Sequence, residues 1–131
     1  MGVTVLLDAH VFLWSLASPE RLSTHAREVL EDKQTTVLVS SVSAWEIATK
    51  YRLGRLPNAK PIIDGYMEHV ARLGAKELPM TSRHALAAGL FSVDHRDPFD
   101  RMLAAQSIAE GVAVLTADSS LGCFPGLVIR W

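Results

Sequence analysis

The chain has 131 residues, 49% of them hydrophobic and 21% charged, with a formal net charge of −1. This describes one well-cored domain that buries about two-thirds of its unfolded surface, and it excludes a disordered chain. The near-neutral balance excludes coating of nucleic acid by bulk electrostatics, and the lone cysteine, Cys123, excludes internal disulfides and cysteine-based zinc sites.

Val3-Thr4-Val5-Leu6-Leu7-Asp8 is an apolar run that ends abruptly on a carboxylate. It reads as a strand buried on both faces, as in a parallel sheet, with Asp8 at its carboxyl end. Asp8 also makes this run too short for a secretory leader, and no other apolar run approaches membrane-spanning length, so the expected location is cytoplasmic with no membrane partner. His10 to Leu16 is helix-compatible and stops before Ser18-Pro19. A second helix is expected from about Ser23, its N-cap, to Lys33. Thr36-Val37-Leu38-Val39-Ser40 reads as the second buried strand. Ser41 or Ser43 is the expected cap of the next helix, which carries Val42, Trp45, Ala48 and Tyr51 on one side until the loop Gly54–Asn58 stops it.

A helix follows from roughly Pro61 to Leu73, then a weak strand at Glu77-Leu78-Pro79 and a short helix from Ser82 to Leu90. Val93-Asp94-His95-Arg96 is a polar connection. Asp97-Pro98-Phe99-Asp100 is a strong helix start, with Asp as N-cap, Pro at N1 and Asp at N3; the helix runs to about Glu110 and is closed by Gly111. Val112 to Thr116 reads as a third buried strand, with Asp118 two residues beyond it, and Leu127-Val128-Ile129 as a final short one. Strands alternating with helices define an α/β fold with a mostly parallel sheet of four to five strands, filling a single domain over residues 1–131.

Each acid has a bland reading beside the functional one. Asp8 serves equally as the cap of the helix behind it, Asp118 as a turn residue, and Glu46 as half of an exposed i,i+4 pair with Lys50. Asp97 is fully explained as an N-cap, whereas Asp100 has only the milder excuse of the helix dipole. What sets them apart is placement: Asp8 and Asp118 follow separate parallel strands, and that edge of an open α/β sheet is where ligands bind. If Asp8, Glu46, Asp100 and Asp118 converge there, repulsion between carboxylates ~4 Å apart amounts to roughly 1–4 kcal/mol per pair, and a cation would relieve it. All-oxygen ligation with open positions suits Mg²⁺, with Mn²⁺ as substitute. The histidines (His10, His25, His69, His84, His95) show no zinc spacing and are assigned to surface or core.

The same residues carry a resemblance. Leu6–Trp14, Ser40–Ala48, Lys50–Leu56, His95–Gln106 and Leu115–Asp118 together make the chain resemble the PIN-domain ribonucleases, specifically the VapC-type toxins of type II toxin–antitoxin pairs. The resemblance implies a three-layer PIN-like fold and a Mg²⁺-dependent endoribonuclease whose acidic quartet falls on Asp8, Glu46, Asp100 and Asp118. Asp8 and Asp100 are the expected direct metal ligands, Asp118 a ligand acting directly or through water, and Asp97 and Thr116 supporting residues near the metal. It further implies an RNA substrate, an antitoxin protein that lays a segment into a groove near the acids, and a homodimer within a larger toxin–antitoxin assembly. Lys50, Arg52, Arg55, Arg96 and Arg101 are candidates for holding the RNA backbone, each with a solvated surface role as the alternative.

Two rival readings stay open on sequence alone. One is an aspartyl-phosphate phosphohydrolase with Asp8 as nucleophile, although haloacid-dehalogenase-like enzymes want a second Asp where this chain has His10. The other is a non-catalytic α/β interaction module whose acids are caps and surface charges. The apolar residues Phe12, Trp14, Trp45, Tyr51 and Leu56 are divided between core packing and exposed surface.

Overall fold

Val5, Leu6 and Leu7 are all fully buried, which a strand achieves only when both faces of its sheet are covered. The structure, a computed structural model, describes residues 2–131. Its strands are β1 (Thr4–Leu7), β2 (Thr36–Ser40), β3 (Lys76–Leu78), β4 (Ala113–Leu115) and β5 (Ile129–Arg130). They form one sheet in the order β3-β2-β1-β4-β5, with every neighbouring pair parallel. The helices are α1 (Ala9–Ala17), α2 (Thr24–Glu31), α3 (Ser41–Arg52), α4 (Lys60–Asp64), α5 (Tyr66–Arg72), α6 (Ser82–Leu90) and α7 (Pro98–Glu110). Among the described residues, no helix is long and apolar enough to cross a membrane.

Side chains alternate along the strands and build two cores. Val5, Leu7, Val37, Val39 and Leu115 face one way, onto Val11 and Phe12 of α1, Ala26 and Val29 of α2, Ile47 of α3, Ile62 of α4 and Val70 of α5. Leu6 and Val114 face the other way, onto Leu103 and Ala104 of α7 and onto Leu121 and Phe124. This is the three-layer arrangement expected, with the small residues of α7 allowing it to lie close on the sheet.

The chain leaves β1 toward β2 on one side and later returns to β4 on the other, so the strand order reverses at β1/β4. In open α/β sheets such a reversal opens a crevice at the carboxyl ends. Leu7 pairs with Val39 and with Leu115. Asp8, Ser40 and Thr116 are the next residues on their strands and therefore form one level row along that edge.

Three local expectations are corrected. The cap of α3 is neither Ser41 nor Ser43 but Ser40, whose hydroxyl accepts from the Val42 amide at 3.0 Å. Ser41 instead accepts from the Met80 amide at 2.9 Å. The buried side of α3 is Val42, Ser43 and Ile47, while Trp45 and Ala48 are exposed; Ser43 and Ile47 have the same helical spacing, and the small serine permits close approach. The helix expected from Pro61 to Leu73 is broken at Gly65, which has φ −127° and ψ 38°; glycine is about 1 kcal/mol poorer than alanine in a helix, so the break falls there.

Two polar devices fix α7 against the sheet. Buried Gln106 accepts from the Ser40 hydroxyl at 2.5 Å and donates to the Leu78 carbonyl at 3.3 Å, joining α7 to the ends of β2 and β3. Arg101, one turn into α7, donates to the carbonyls of Ala88 (2.9 Å), Val93 (3.0 Å), His95 (3.0 Å), Gly89 (3.4 Å) and Phe91 (2.6 Å). An arginine has five N–H donors, so all are occupied. The irregular connection from α6 to α7 is thereby wrapped around one guanidinium.

Arg101→Lys is expected to lower stability by about 2–4 kcal/mol, because an ammonium cannot replace the fork of donors to semi-buried carbonyls. Urea unfolding measures it, and a loss below about 0.5 kcal/mol would mean the clamp is incidental.

Candidate active site

A small cavity of about 90 Å³ opens at the carboxyl edge of the sheet, lined by Asp8, Ala9, His10, Glu46, Lys50, Asp97, Asp100, Leu103 and Asp118. The acids singled out in the sequence thus share one hollow, delivered by four different elements.

Asp8 is held from two sides. Its Oδ1 accepts from the Val11 amide at 2.7 Å, capping α1, and its Oδ2 accepts from the Thr116 hydroxyl at the end of β4. Thr116 is 1% exposed and therefore has little freedom to turn away. The cap reading and the site reading of Asp8 are both realised, one on each oxygen. Burial pushes its carboxyl above the usual range, against the opposing pull of the Thr116 and Val11 hydrogen bonds.

Asp97 and Asp100 share the first turn of α7. Asp97 Oδ1 caps the helix, accepting from the amides of Phe99 (2.9 Å) and Asp100 (3.4 Å). Asp100 is free of that duty and faces the cavity. Burial, reinforced by the Asp97 carboxylate, pushes it up to about 6, with His95 pulling the other way. His95 Nε2 lies 3.2 Å from Asp100 Oδ2 without the alignment of a hydrogen bond, and its ring stacks on Phe124 at 5.3 Å. Asp118, in contrast, is exposed and caps the 3₁₀ turn Ser119–Cys123. Hydrogen bonding by Ser120 draws its carboxyl below the usual range, so it is ionised at neutral pH.

Glu46 does form the i,i+4 pair with Lys50, at 2.5 Å, but the pair is not the solvated one considered from sequence: the side chains are 13% and 20% exposed. The ammonium sits among the acids. Of the other cations, Arg52, Arg55 and Arg96 are exposed. Arg101 is corrected: its donors are all engaged with backbone carbonyls, so it holds the loop and is not available to a phosphate. Two residues in contact with the site were assigned to core or surface from sequence, His10 and His95. Their spacing, two after Asp8 and two before Asp97, was the available signal. Of the apolar set, Phe12 is fully buried, Trp14, Tyr51 and Leu56 pack against the core, and Trp45 is exposed.

Among the described residues, no three His, Cys, Asp or Glu side chains already form a ligand set for a metal ion. The chemistry of the donors nevertheless fits a hard divalent cation. Two partly buried carboxyls, Asp8 and Asp100, resist ionisation where they stand, and an ionised Asp118 and the Glu46–Lys50 pair complete an all-oxygen rim with one built-in positive charge. Bound cation would stabilise the charged forms that burial disfavours.

A model of the PIN domain matches residues 5–123. Ribonuclease VapC22 of Mycobacterium tuberculosis is 34% identical over 121 residues, covering 90% of this chain and 89% of its own. Ribonuclease VapC16 of the same organism is 36% identical over 58 residues, 44% of this chain and 41% of its own. With fold, edge and acids in these positions, the chain belongs to the PIN-domain family. In structure it is similar to VapBC of Salmonella typhimurium, solved bound to DNA (TM-score 0.70, 17% identity, 98% of this chain and 97% of that one). It is also similar to VapBC2 of Rickettsia felis, solved bound to a promoter DNA fragment (TM-score 0.67, 14% identity, 98% of both chains). At those identities the likeness concerns the fold.

The raised Asp100 carboxyl binds its proton more tightly in the folded chain than in the unfolded one. Its contribution to stability is therefore complete below 3.8 and is lost as pH rises through about 6. In chelator, Asp100→Asn is expected to melt above wild type at pH 8, with the gap closing by pH 4. A gap of constant size across that range would contradict the assignment.

Proposed function

We propose that this chain is a metal-dependent endoribonuclease, the toxin of a VapBC-type toxin–antitoxin pair, with residues 1–131 as one PIN-like domain acting in the cytoplasm. The observation that carries this reading is the convergence of Asp8, Glu46, Asp97, Asp100 and Asp118 on one hollow at the β1/β4 reversal. The likeness to Ribonuclease VapC22 along 90% of the chain supports the substrate class.

In this proposal Mg²⁺, with Mn²⁺ as substitute, is held by Asp8 and Asp100, with Asp118 as a further ligand. When bound, the cation supplies Lewis-acid polarisation of the phosphodiester and activation of the attacking water. Thr116 keeps Asp8 turned toward the hollow through its hydroxyl. Asp97 fixes the first turn of α7 and so the position of Asp100. Glu46, paired with Lys50 and lining the same hollow, would orient the incoming water or complete the metal's shell through water. Lys50, Arg52, Arg55 and Arg96 offset the negative rim and hold the RNA backbone, which the acids alone would repel.

The antitoxin partner and a homodimer are proposed on the same footing. A second cavity of about 410 Å³ shares His10 with the acid hollow and is lined by Trp14, Arg21, Arg55, Leu56 and Ile62. Arg21 lies over the Trp14 ring at 4.7 Å. An apolar segment with acidic flanks suits such a lining and would block approach to Asp8 from the side.

Asp8→Asn and Asp100→Asn are each expected to abolish divalent-dependent RNA cleavage while melting cooperatively in chelator; wild-type cleavage by either would overturn the site. Mapping RNA ends in cells expressing wild type against Asp8→Asn identifies the target. Separately, Mg²⁺ or Mn²⁺ should stabilise wild type by up to about 2.7 kcal/mol at a hundredfold excess over Kd, and not the Asp8→Asn protein. An equal shift in both proteins would place the ion elsewhere.

A further inference from the structure

His95-Arg96-Asp97-Pro98-Phe99-Asp100 places a histidine two residues before the cap of α7 and five before the acid that faces the hollow. The turn into the helix makes contacts of this spacing. The Asp97 amide donates to His95 Nδ1 at 3.4 Å, while the Asp97 carboxylate caps α7 through the Phe99 and Asp100 amides. A ring nitrogen that accepts an N–H must offer a lone pair, so the hydrogen of the neutral imidazole sits on Nε2. That nitrogen is buried and, among the described residues, has no aligned hydrogen-bond partner. The acceptor beside it is Asp100 Oδ2, 3.2 Å away. Buried N–H groups are nearly always paired, and what this pair lacks is alignment, not proximity.

The ring has little freedom of its own. It stacks on the buried Phe124, with centroids 5.3 Å apart and planes at 23°. The His95 carbonyl accepts from Arg101 at 3.0 Å, so the guanidinium that wraps the connection also anchors this residue. The carboxylate is the freer partner: among the described residues, His95 is the only basic side chain paired with Asp100. Asp8 shows a similar construction already closed, with Thr116 holding its Oδ2.

Resting on the reading of Asp8 and Asp100 as ligands of a divalent cation, we infer that His95 is the positioning residue of Asp100: its Nε2–H takes Oδ2 and leaves Oδ1 for the ion. A carboxylate has two oxygens and turns about its last bond; a rigid donor on one oxygen removes that freedom before the ion arrives. Ligating carboxylates are commonly held by such an outer hydrogen bond. His95 itself does not ligate, because the Asp97 amide occupies one ring lone pair and a hydrogen occupies the other nitrogen, and hard cations favour oxygen.

The test uses the full chain at pH 8, Mn²⁺ or Mg²⁺ alone as the ligand, and substitutions that separate the functions of the ring. His95→Gln keeps a donor at the ε position. His95→Asn keeps an acceptor for the Asp97 amide but no donor that reaches Asp100. His95→Phe keeps the stack on Phe124 and neither polar atom. By calorimetry, His95→Asn and His95→Phe should each bind Mn²⁺ about 10- to 100-fold more weakly, the usual cost of removing the partner of a ligating group, and His95→Gln should stay within a few-fold of wild type. In the ring ¹⁵N spectrum of wild type, Nδ1 should be bare and Nε2 protonated, and Mg²⁺ should leave that hydrogen in place and slow its exchange with water. Wild-type affinity in His95→Asn overturns the inference, as does equal weakening by all three substitutions. A hydrogen on Nδ1 overturns it too, and so does loss of the Nε2 hydrogen on adding Mg²⁺, which would make His95 a ligand. Should His95→Asn and His95→Phe fail to fold by circular dichroism, the wild-type ¹⁵N spectrum decides. If wild type binds no divalent cation, or Asp100→Asn binds it equally well, the site reading fails and takes this inference with it. If wild type binds, Asp100→Asn does not, and His95→Asn binds like wild type, only the positioning inference fails.

Discussion

The two hydrogen bonds on Asp8 tie the whole site together, because they join the central strand to α1 and to the neighbouring strand β4 at the point where the strand order reverses. One oxygen caps α1, and the other is gripped by Thr116 at the end of β4. The first bond sets how α1 leaves the sheet and so where His10 lies. The second fixes the spacing between the β1 and β4 ends, and the Asp118 amide donates in turn to the Thr116 hydroxyl at 3.0 Å. The carboxylate is thus a structural joint and a site group at once, and neither role explains both oxygens.

A cluster of acids is the arrangement a fold least tolerates, and each member here is restrained by a local partner. Asp97 and Asp118 cap helical turns, Glu46 has Lys50, and Asp8 has an amide and a hydroxyl. Asp100 has only the poorly aligned His95 and is the acid pushed furthest toward its neutral form. Burial raises both Asp8 and Asp100, and at Asp100 the neighbouring Asp97 adds to it, so the charge of these two groups depends most on what enters the hollow.

The parallel sheet was readable because β1 and β2 are continuous β-branched and leucine runs, a pattern that belongs to strands covered on both faces. The start of α7 was readable because Asp-Pro-x-Asp states its own capping chemistry. Less was legible where two helical spacings compete, as on α3: the 42/45/48 and 43/47 stripes are equally regular, and only the neighbouring α1 and α7 select between them. The role of Arg101 was hidden for a related reason. A charged side chain next to a site acid suggests a ligand contact, while its true partners are backbone carbonyls that no residue letter reveals. For the acids, the sequence indicated the shared edge through strand endings, but the burial that separates Asp100 from Asp118 arises only from packing.

The wrapped connection between α6 and α7 carries an evolutionary corollary. Arg101 reads carbonyl oxygens, which every residue type possesses, and it reads them at fixed positions along the chain. The length of this connection is therefore constrained independently of the side chains that pack or bond along it, Phe91, Val93, His95 and Asp97. A single inserted or deleted residue would shift the carbonyls out of register with the guanidinium and move the first turn of α7. Homologues that keep this arginine should accordingly show a connection that is constant in count.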